Sequence, residues 1–415
     1  MRSAFILFFT LFSATPANAI NNNLTDTCLQ LAAAQRCQPF IKLLTAADKQ
    51  QFPLLAETLQ QAERYQLQII YTQVQRTDGL PKLNYYLFNV DENRYFYPAS
   101  TVKLVVAALA LQWLNQQQDP SLSAATAMLT DSVRPLQTAA WQDDTTANQL
   151  PNIAQYIRKI LLVSDNDGYN RLYELLGQEY INTELKRLGL QHTVINHRLS
   201  VPLPDEENRH FNPVRFIAKD GRLVKSVPAR SIEQSYRNAG QPTLGAAYYA
   251  AGELIRQPMD FTYKNRHSLI DYDGVIKRLV MPELFASTQQ FTITAEQRAF
   301  LLKYMAMLPR QSQSPRYDEN DYPDSYGKFV LYGGDKSRIP DHIKHHNKSG
   351  WAYGHILDGV YLQDLQHDLE FFVTAVIYAN DNATLNDDTY EIEQLSLPFM
   401  QQLGQFIHQL SLRQR

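Results

Sequence analysis

The sequence predicts a mixed α/β (α+β) chain, with strands gathered near its two ends and helices filling the middle. Leu67 to Val74 and Leu83 to Val90 are rich in Ile, Tyr, Val and Phe, and the turn residues Thr77-Asp78-Gly79 part them, so both read as strands. Residues 104 to about 195 carry helical periodicity, broken at Pro120, Pro135 and Pro151. Near the C-terminus, Gly354 to Leu362 and Leu369 to Ala379 return to strand character, and Pro398 then opens a closing amphipathic helix that runs to about Leu412.

In chain order, residues 1–19 come first and differ from the rest. Arg2 precedes the apolar run Phe5 to Phe12, and Ala17-Asn18-Ala19 supplies the small residues of a cleavage site, so the segment reads as a secretory signal peptide. A membrane anchor fits less well, because a span takes about 20 apolar residues. Losing the leader removes Arg2 and changes the formal net charge from −3 to −4. That balance does not point to nucleic acid, and no later stretch is long and apolar enough to cross a membrane. The mature protein is therefore expected to be secreted or periplasmic, with a small molecule rather than nucleic acid as partner.

Residues 20–66 read as an N-terminal helical segment rich in Leu, Ala and Gln. It holds the chain's two cysteines, Cys28 and Cys37, in a context that permits a disulfide. On one straight helix they would stand about 13.5 Å apart, too far to bridge, so a disulfide requires a turn between them. Two helical pieces clipped together is the expectation, and a pair of buried free thiols is the alternative.

The rest of the chain is organised around Tyr97-Pro98-Ala99-Ser100-Thr101-Val102-Lys103, which runs into the apolar stretch Leu104 to Leu111. Pro98, Ser100 and Thr101 read as a helix start, and the residues after Lys103 are apolar on every face, as in a helix buried in a core. Ser100 and Lys103 share a face one turn apart, about 5–6 Å between Cβ atoms. A serine hydroxyl is a weak nucleophile until a base takes its proton, and burial favours the neutral lysine amine that can serve as one. Four-residue matches are common, and an interior lysine can instead snorkel to the surface.

Two further stretches give the pattern weight: Ser164-Asp165-Asn166, on a short connection between helices, and Lys348-Ser349-Gly350, followed by Trp351. In this order the three resemble the Ser-x-x-Lys, Ser-Asp-Asn and Lys-Thr-Gly set of class A β-lactamases and penicillin-binding proteins, with Ser349 keeping the hydroxyl of the threonine. The resemblance implies a two-lobed β-lactamase/transpeptidase-like fold over residues 67–415. Its α/β lobe would span about 67–98 and 340–415, with an antiparallel sheet flanked by helices. An enlarged all-α lobe would span about 99–339, because the second and third motifs lie further apart than a compact member of the family needs.

The same resemblance implies the roles. Ser100 attacks a carbonyl and forms an acyl-enzyme, Lys103 accepts its proton, and Ser164 passes a proton toward the leaving nitrogen. Asn166 holds the substrate amide, while Asp165 braces the turn. Lys348 and Ser349 hold a substrate carboxylate, and Gly350 allows close approach. The backbone N–H groups of Ser100 and Trp351 form the oxyanion hole. No cofactor is implied. His342, His345, His346 and His355 have no recognised ligand spacing, so no metal is expected.

One departure separates this chain from class A β-lactamases. Their Glu-x-x-Leu-Asn element, whose glutamate activates the deacylating water, has no counterpart in Gly189 to Arg215. Asp205, Glu206 and Glu207 are the nearest acids and read as a solvated surface run. The leading expectation is an exported β-lactamase-like serine amidohydrolase. The alternatives are a D-alanyl-D-alanine peptidase or related cell-wall peptide hydrolase, and a binder or sensor of cell-wall peptides or β-lactams that stays acylated.

Overall fold

The computed structural model describes residues 24, 26–76 and 80–414, so the leader read at 1–19 and the turn at Thr77-Asp78-Gly79 lie outside the described residues. One seven-stranded sheet is built from β1 (Ala34–Pro39), β2 (Gln68–Gln75), β3 (Lys82–Phe88), β4 (Ile343–Asn347), β5 (Gly350–Ala352), β6 (His355–Asp364) and β7 (Leu369–Tyr378). Its spatial order is β1-β3-β2-β7-β6-β4, with β5 also paired to β6. Every pairing is antiparallel except that of β1 with β3.

The two ends of the chain meet at the centre of this sheet, where β2 lies beside β7 with Tyr71 opposite Val373. Side chains alternate between faces along a strand. Ile69, Tyr71, Phe371 and Val373 therefore enter one apolar cluster, while Ile70, Phe372 and Val376 enter the other. The run Phe371 to Tyr378 is apolar but for Thr374, because both faces of β7 are covered.

The covering helices are α1 (Pro53–Gln60), α2 (Val102–Gln116), α3 (Ile153–Val163), α4 (Asn166–Leu176), α5 (Leu269–Val280), α6 (Ala295–Ala306) and α7 (Leu397–Arg413). Leu55 and Leu59 of α1 and Phe399, Leu403 and Phe406 of α7 pack on one face of the sheet. Helices α2 to α6 contribute to the cluster on the other. Their starts are written in the sequence. Asn152 caps α3, Asp165 caps α4, Ser268 caps α5, and Thr294 with Gln297 forms a capping box on α6.

Two expectations change. The N-terminal segment is not helical throughout, because residues 34–39 form β1, an edge strand held by parallel pairing to β3. The disulfide Cys28–Cys37, with Cα atoms 6.0 Å apart, thus joins helical backbone to a strand rather than two helices. The enlarged middle region is not all-α either. Ala127–Thr130, Val214–Ile217 and Leu223–Val227 form a three-stranded sheet, and Ala247–Ala250 with Glu253–Ile255 forms a hairpin. Among the described residues, no helix is long and apolar enough to cross a membrane.

Candidate active site

Ser100 sits in the single 3-10 turn Ala99–Thr101, which runs directly into α2. Both the hydroxyl and the N–H of Thr101 donate to the Pro98 carbonyl, at 2.7 and 3.1 Å, and so tighten the turn. Ala99 has φ +47°, a left-handed conformation that costs a residue with a Cβ roughly 1–2 kcal/mol. Burial holds it there: Ala99 and Tyr97 are both in the core. On the other side β5 closes against the turn. A Cβ on Gly350 would stand 2.9 Å from the Pro98 oxygen and 3.1 Å from the Ser100 nitrogen, so a glycine is required for the strand to come this near.

Lys103 lies in the first turn of α2, one turn beyond Ser100, and is fully buried. Around it Val102, Leu104, Val105, Val106, Leu109 and Leu111 are buried as well, each worth about 1.5–3 kcal/mol, which outweighs the cost of burying one amine. The Lys103 amine donates to the Ser164 carbonyl, to Ser164 Oγ at 3.2 Å and to Asn166 Oδ1 at 2.7 Å. None of these bonds goes to Ser100. Burial, followed by the nearby charge of Lys348, drives the Lys103 amine well below the usual lysine range, although Asp165 opposes the shift.

The second motif is bent by its own backbone. Ser164 ends α3 in the left-handed conformation, φ +59°, and Asp165 then starts α4 by accepting the Gly168 N–H at 2.6 Å. This directs Ser164 and Asn166 toward Lys103. The third motif arrives from the turn between β4 and β5. Lys348 Nζ donates to Ser164 Oγ at 2.8 Å and to the Ser349 carbonyl at 2.8 Å, and Tyr272 on α5 donates to the Lys348 carbonyl. Burial lowers the Lys348 amine to about 7; Asp358 opposes this and Lys328 adds to it.

Ser100, Ser164, Asn166, Ser349, Gly350 and Trp351 line one cleft of about 590 Å³, with Tyr326, Lys336 and Glu393 on its walls. A second hollow of about 500 Å³ continues past Ser100 and Asn166 to Ser200, Tyr353 and Asp388. Ser100, Ser164, Asn166, Ser349, Gly350 and Trp351 therefore converge on one cleft, with Lys103 and Lys348 beneath it, while Asp165 stays behind as the cap of α4. A larger cavity of about 1240 Å³ lies elsewhere, around Asn148, Arg158 and Lys303, and holds no motif residue.

Several contributors carry no sequence motif. Ser200 accepts a hydrogen bond from Asn166 Nδ2 at 2.9 Å, so both ends of that amide are engaged. Beneath Lys348, Asn347 donates to Asp358 at 2.7 Å and accepts from Lys328 at 2.8 Å. Burial raises the Asp358 carboxyl to about 6 and lowers the Lys328 amine to about 7. The three residues lie far apart in sequence or beside a motif without being part of it, and no spacing reveals them.

The acids near residue 205 do not reach the cleft, and for one of them the solvated reading is corrected. Glu207 is buried, bonded to Arg134 at 2.7 Å and to Gln137 at 2.9 Å, because an arginine and an amide compensate its charge. Three of the four histidines weighed as ligands take separate places. His345 bonds the Val330 carbonyl, His346 the Leu302 carbonyl, and His355 packs on Tyr378.

Residues 54–228, which carry Ser100, Lys103, Ser164 and Asn166, match the model of the β-lactamase enzyme family. The chain resembles that family over this stretch. Its three motifs resemble those of the serine β-lactamase and penicillin-binding protein superfamily. Similar solved structures include a β-lactamase from Desulfarculus baarsii DSM 2075, with 15% identity and TM-score 0.48, covering 88% of this chain and 98% of that one. A β-lactamase from Sphaerobacter thermophilus DSM 20745 has 11% identity and TM-score 0.49, covering 87% and 97%. PBP-A has 14% identity and TM-score 0.47, covering 86% and 96%. No curated protein matches the sequence.

Proposed function

We propose that this β-lactamase-like chain is an exported serine hydrolase that opens a β-lactam or related amide through an acyl-enzyme on Ser100. The observation that carries the reading is the buried Lys103 amine, held against Ser164 and Asn166 one turn beyond Ser100. Burial lowers the Lys103 amine below its usual range and so favours its neutral form, which can accept the serine proton.

The steps balance as acyl transfer. Ser100 Oγ forms a bond to the substrate carbonyl carbon while its proton passes to Lys103. The tetrahedral oxyanion takes hydrogen bonds from the backbone N–H groups of Ser100 and Trp351. As the amide C–N bond breaks, the proton moves from Lys103 through the Ser164 hydroxyl to the leaving nitrogen. Lys348, still protonated below pH about 7, and Ser349 hold a substrate carboxylate. Water then adds to the acyl carbon, the bond to Ser100 Oγ breaks, and Oγ takes a proton from the water as the carboxylic acid leaves.

One observation favours a second reading, a cell-wall peptide hydrolase or a sensor that stays acylated. Deacylation needs a group that activates water, and Glu207, an acid of the stretch where class A enzymes carry theirs, is committed to Arg134 and Gln137. The acids that do border the cleft, Glu393 and Asp388, are exposed. Hydrolysis of an activated ester by the wild type and by Ser100→Ala tests the shared claim. Both readings require activity, or an initial burst, that the variant lacks; equal rates would reject Ser100 as the nucleophile.

A further inference from the structure

Beside α7, at the far end of the β6–β7 hairpin, three residues converge from separate parts of the chain. Asp364 ends β6, His367 lies in the following turn, and His408 is on α7. The Asp364 carboxylate is buried, at 1% exposure, and its Oδ1 is fixed by the N–H groups of Gln366 at 3.0 Å and His367 at 3.2 Å. Its Oδ2 faces His367 Nδ1 at 2.7 Å and His408 Nε2 at 2.8 Å. His342, just before β4, brings Nε2 to 4.0 Å from Oδ1, and the Leu365 N–H bonds the His342 carbonyl at 2.9 Å. Among the described residues, the ion-pair partners of Asp364 are all histidines, with no lysine or arginine.

We propose that Asp364, His367 and His408, with His342 as a fourth ligand, bind a divalent first-row transition metal, zinc by the match of imidazole and carboxylate donors to a four-coordinate site. One ligand atom from each of the first three lies within 4.8 Å of the others. A tetrahedral ion held at about 2.0–2.1 Å sets its ligand atoms roughly 3.3–3.5 Å apart, a separation bracketed by the 2.7 and 2.8 Å Asp364–histidine contacts and the 4.8 Å spread of the cluster. The Asp364 oxygen now shared by two histidine nitrogens needs a proton on each to hold it. A metal replaces those protons, and the two bound amides keep the carboxylate oriented while it does so. His367 is 40% exposed and provides the entry path.

The role is structural. Asp364 lies eight residues along β6 from Ile356, the partner of Trp351, which at about 3.3 Å per residue puts the site roughly 26 Å from the cleft. A bound ion fastens α7 to the ends of β4 and β6.

The test uses the full chain, stripped with a chelator and titrated with zinc by calorimetry, with cobalt as a spectroscopic substitute. The expected result is one zinc per chain, tetrahedral d–d bands with cobalt, and a melting temperature that rises with zinc and falls back with chelator. In His367→Ala and His408→Gln, zinc affinity falls tenfold or more and the melting shift is lost, while acylation at Ser100 is unchanged. His367 is half-exposed, so its variant should fold even if changes at Asp364 do not. Absence of stoichiometric binding to the wild type, or binding and melting shifts unchanged in both variants, would overturn the proposal and leave a histidine–aspartate hydrogen-bonded cluster.

Discussion

The Nζ of Lys348 stands 2.8 Å from the Ser164 hydroxyl, bringing together residues 184 positions apart. Because Lys103 Nζ lies 3.2 Å from the same oxygen, one hydroxyl bridges two buried amines. Its removal should interrupt proton transfer without emptying the core. Ser164→Ala is expected to lower the acylation rate constant by about 10²-fold or more while the melting temperature changes little. Stopped-flow acylation with a chromogenic cephalosporin checks this.

The two amines impose opposite pH demands. Lys103 must be neutral to act as a base, so acylation rises with pH through its depressed range. Lys348 must be charged to hold a carboxylate, and that charge is lost as pH rises through about 7. For a penicillin, the second-order acylation constant should therefore fall on the alkaline side. With an activated ester that lacks the carboxylate, the fall should disappear. Parallel pH profiles for the two substrates provide the comparison.

Gly350 is the point where sheet and nucleophile turn touch. Adding one methyl directs it at the Pro98 oxygen and the Ser100 nitrogen, backbone atoms that cannot swing aside. Gly350→Ala should cost about 1–3 kcal/mol of stability and suppress acylation by shifting the turn. Urea unfolding and the acylation assay together would read both effects.

The Cys28–Cys37 disulfide closes a short loop across the N-terminal edge. Cys37→Ser should lower stability by about 2–3 kcal/mol in the chain-entropy picture and leave acylation intact. Denaturant curves with and without reductant would check it, since reductant should affect the wild type alone.

The place of the candidate site was legible because each motif carries its own local context. Ser100 and Lys103 precede eight apolar residues that form a fully buried helix, and Asp165 is both part of a motif and a helix cap. The run Phe371 to Tyr378 could be read as a strand because aromatic and β-branched residues dominate it and a turn precedes it. Other parts depend on contacts that sequence spacing does not encode. The β1 residues Ala34-Gln35-Arg36-Cys37-Gln38-Pro39 have no alternation, and only pairing with β3 makes them a strand. The strands between 210 and 260 run only two to five residues each, too short to carry a clear hydrophobic pattern. Ser200, Lys328 and Asp358 reach the site through tertiary packing, and His408 meets Asp364 across 44 residues.

The central claim is a covalent bond between Ser100 and the carbonyl of its substrate. The most direct measurement is the intact mass of the protein after mixing with a penicillin, followed by proteolysis and mapping of the modified peptide. The account predicts a gain of one penicillin mass, located on the peptide carrying Ser100 and absent in Ser100→Ala. A modification on any other residue, or an equal gain in the variant, would contradict it.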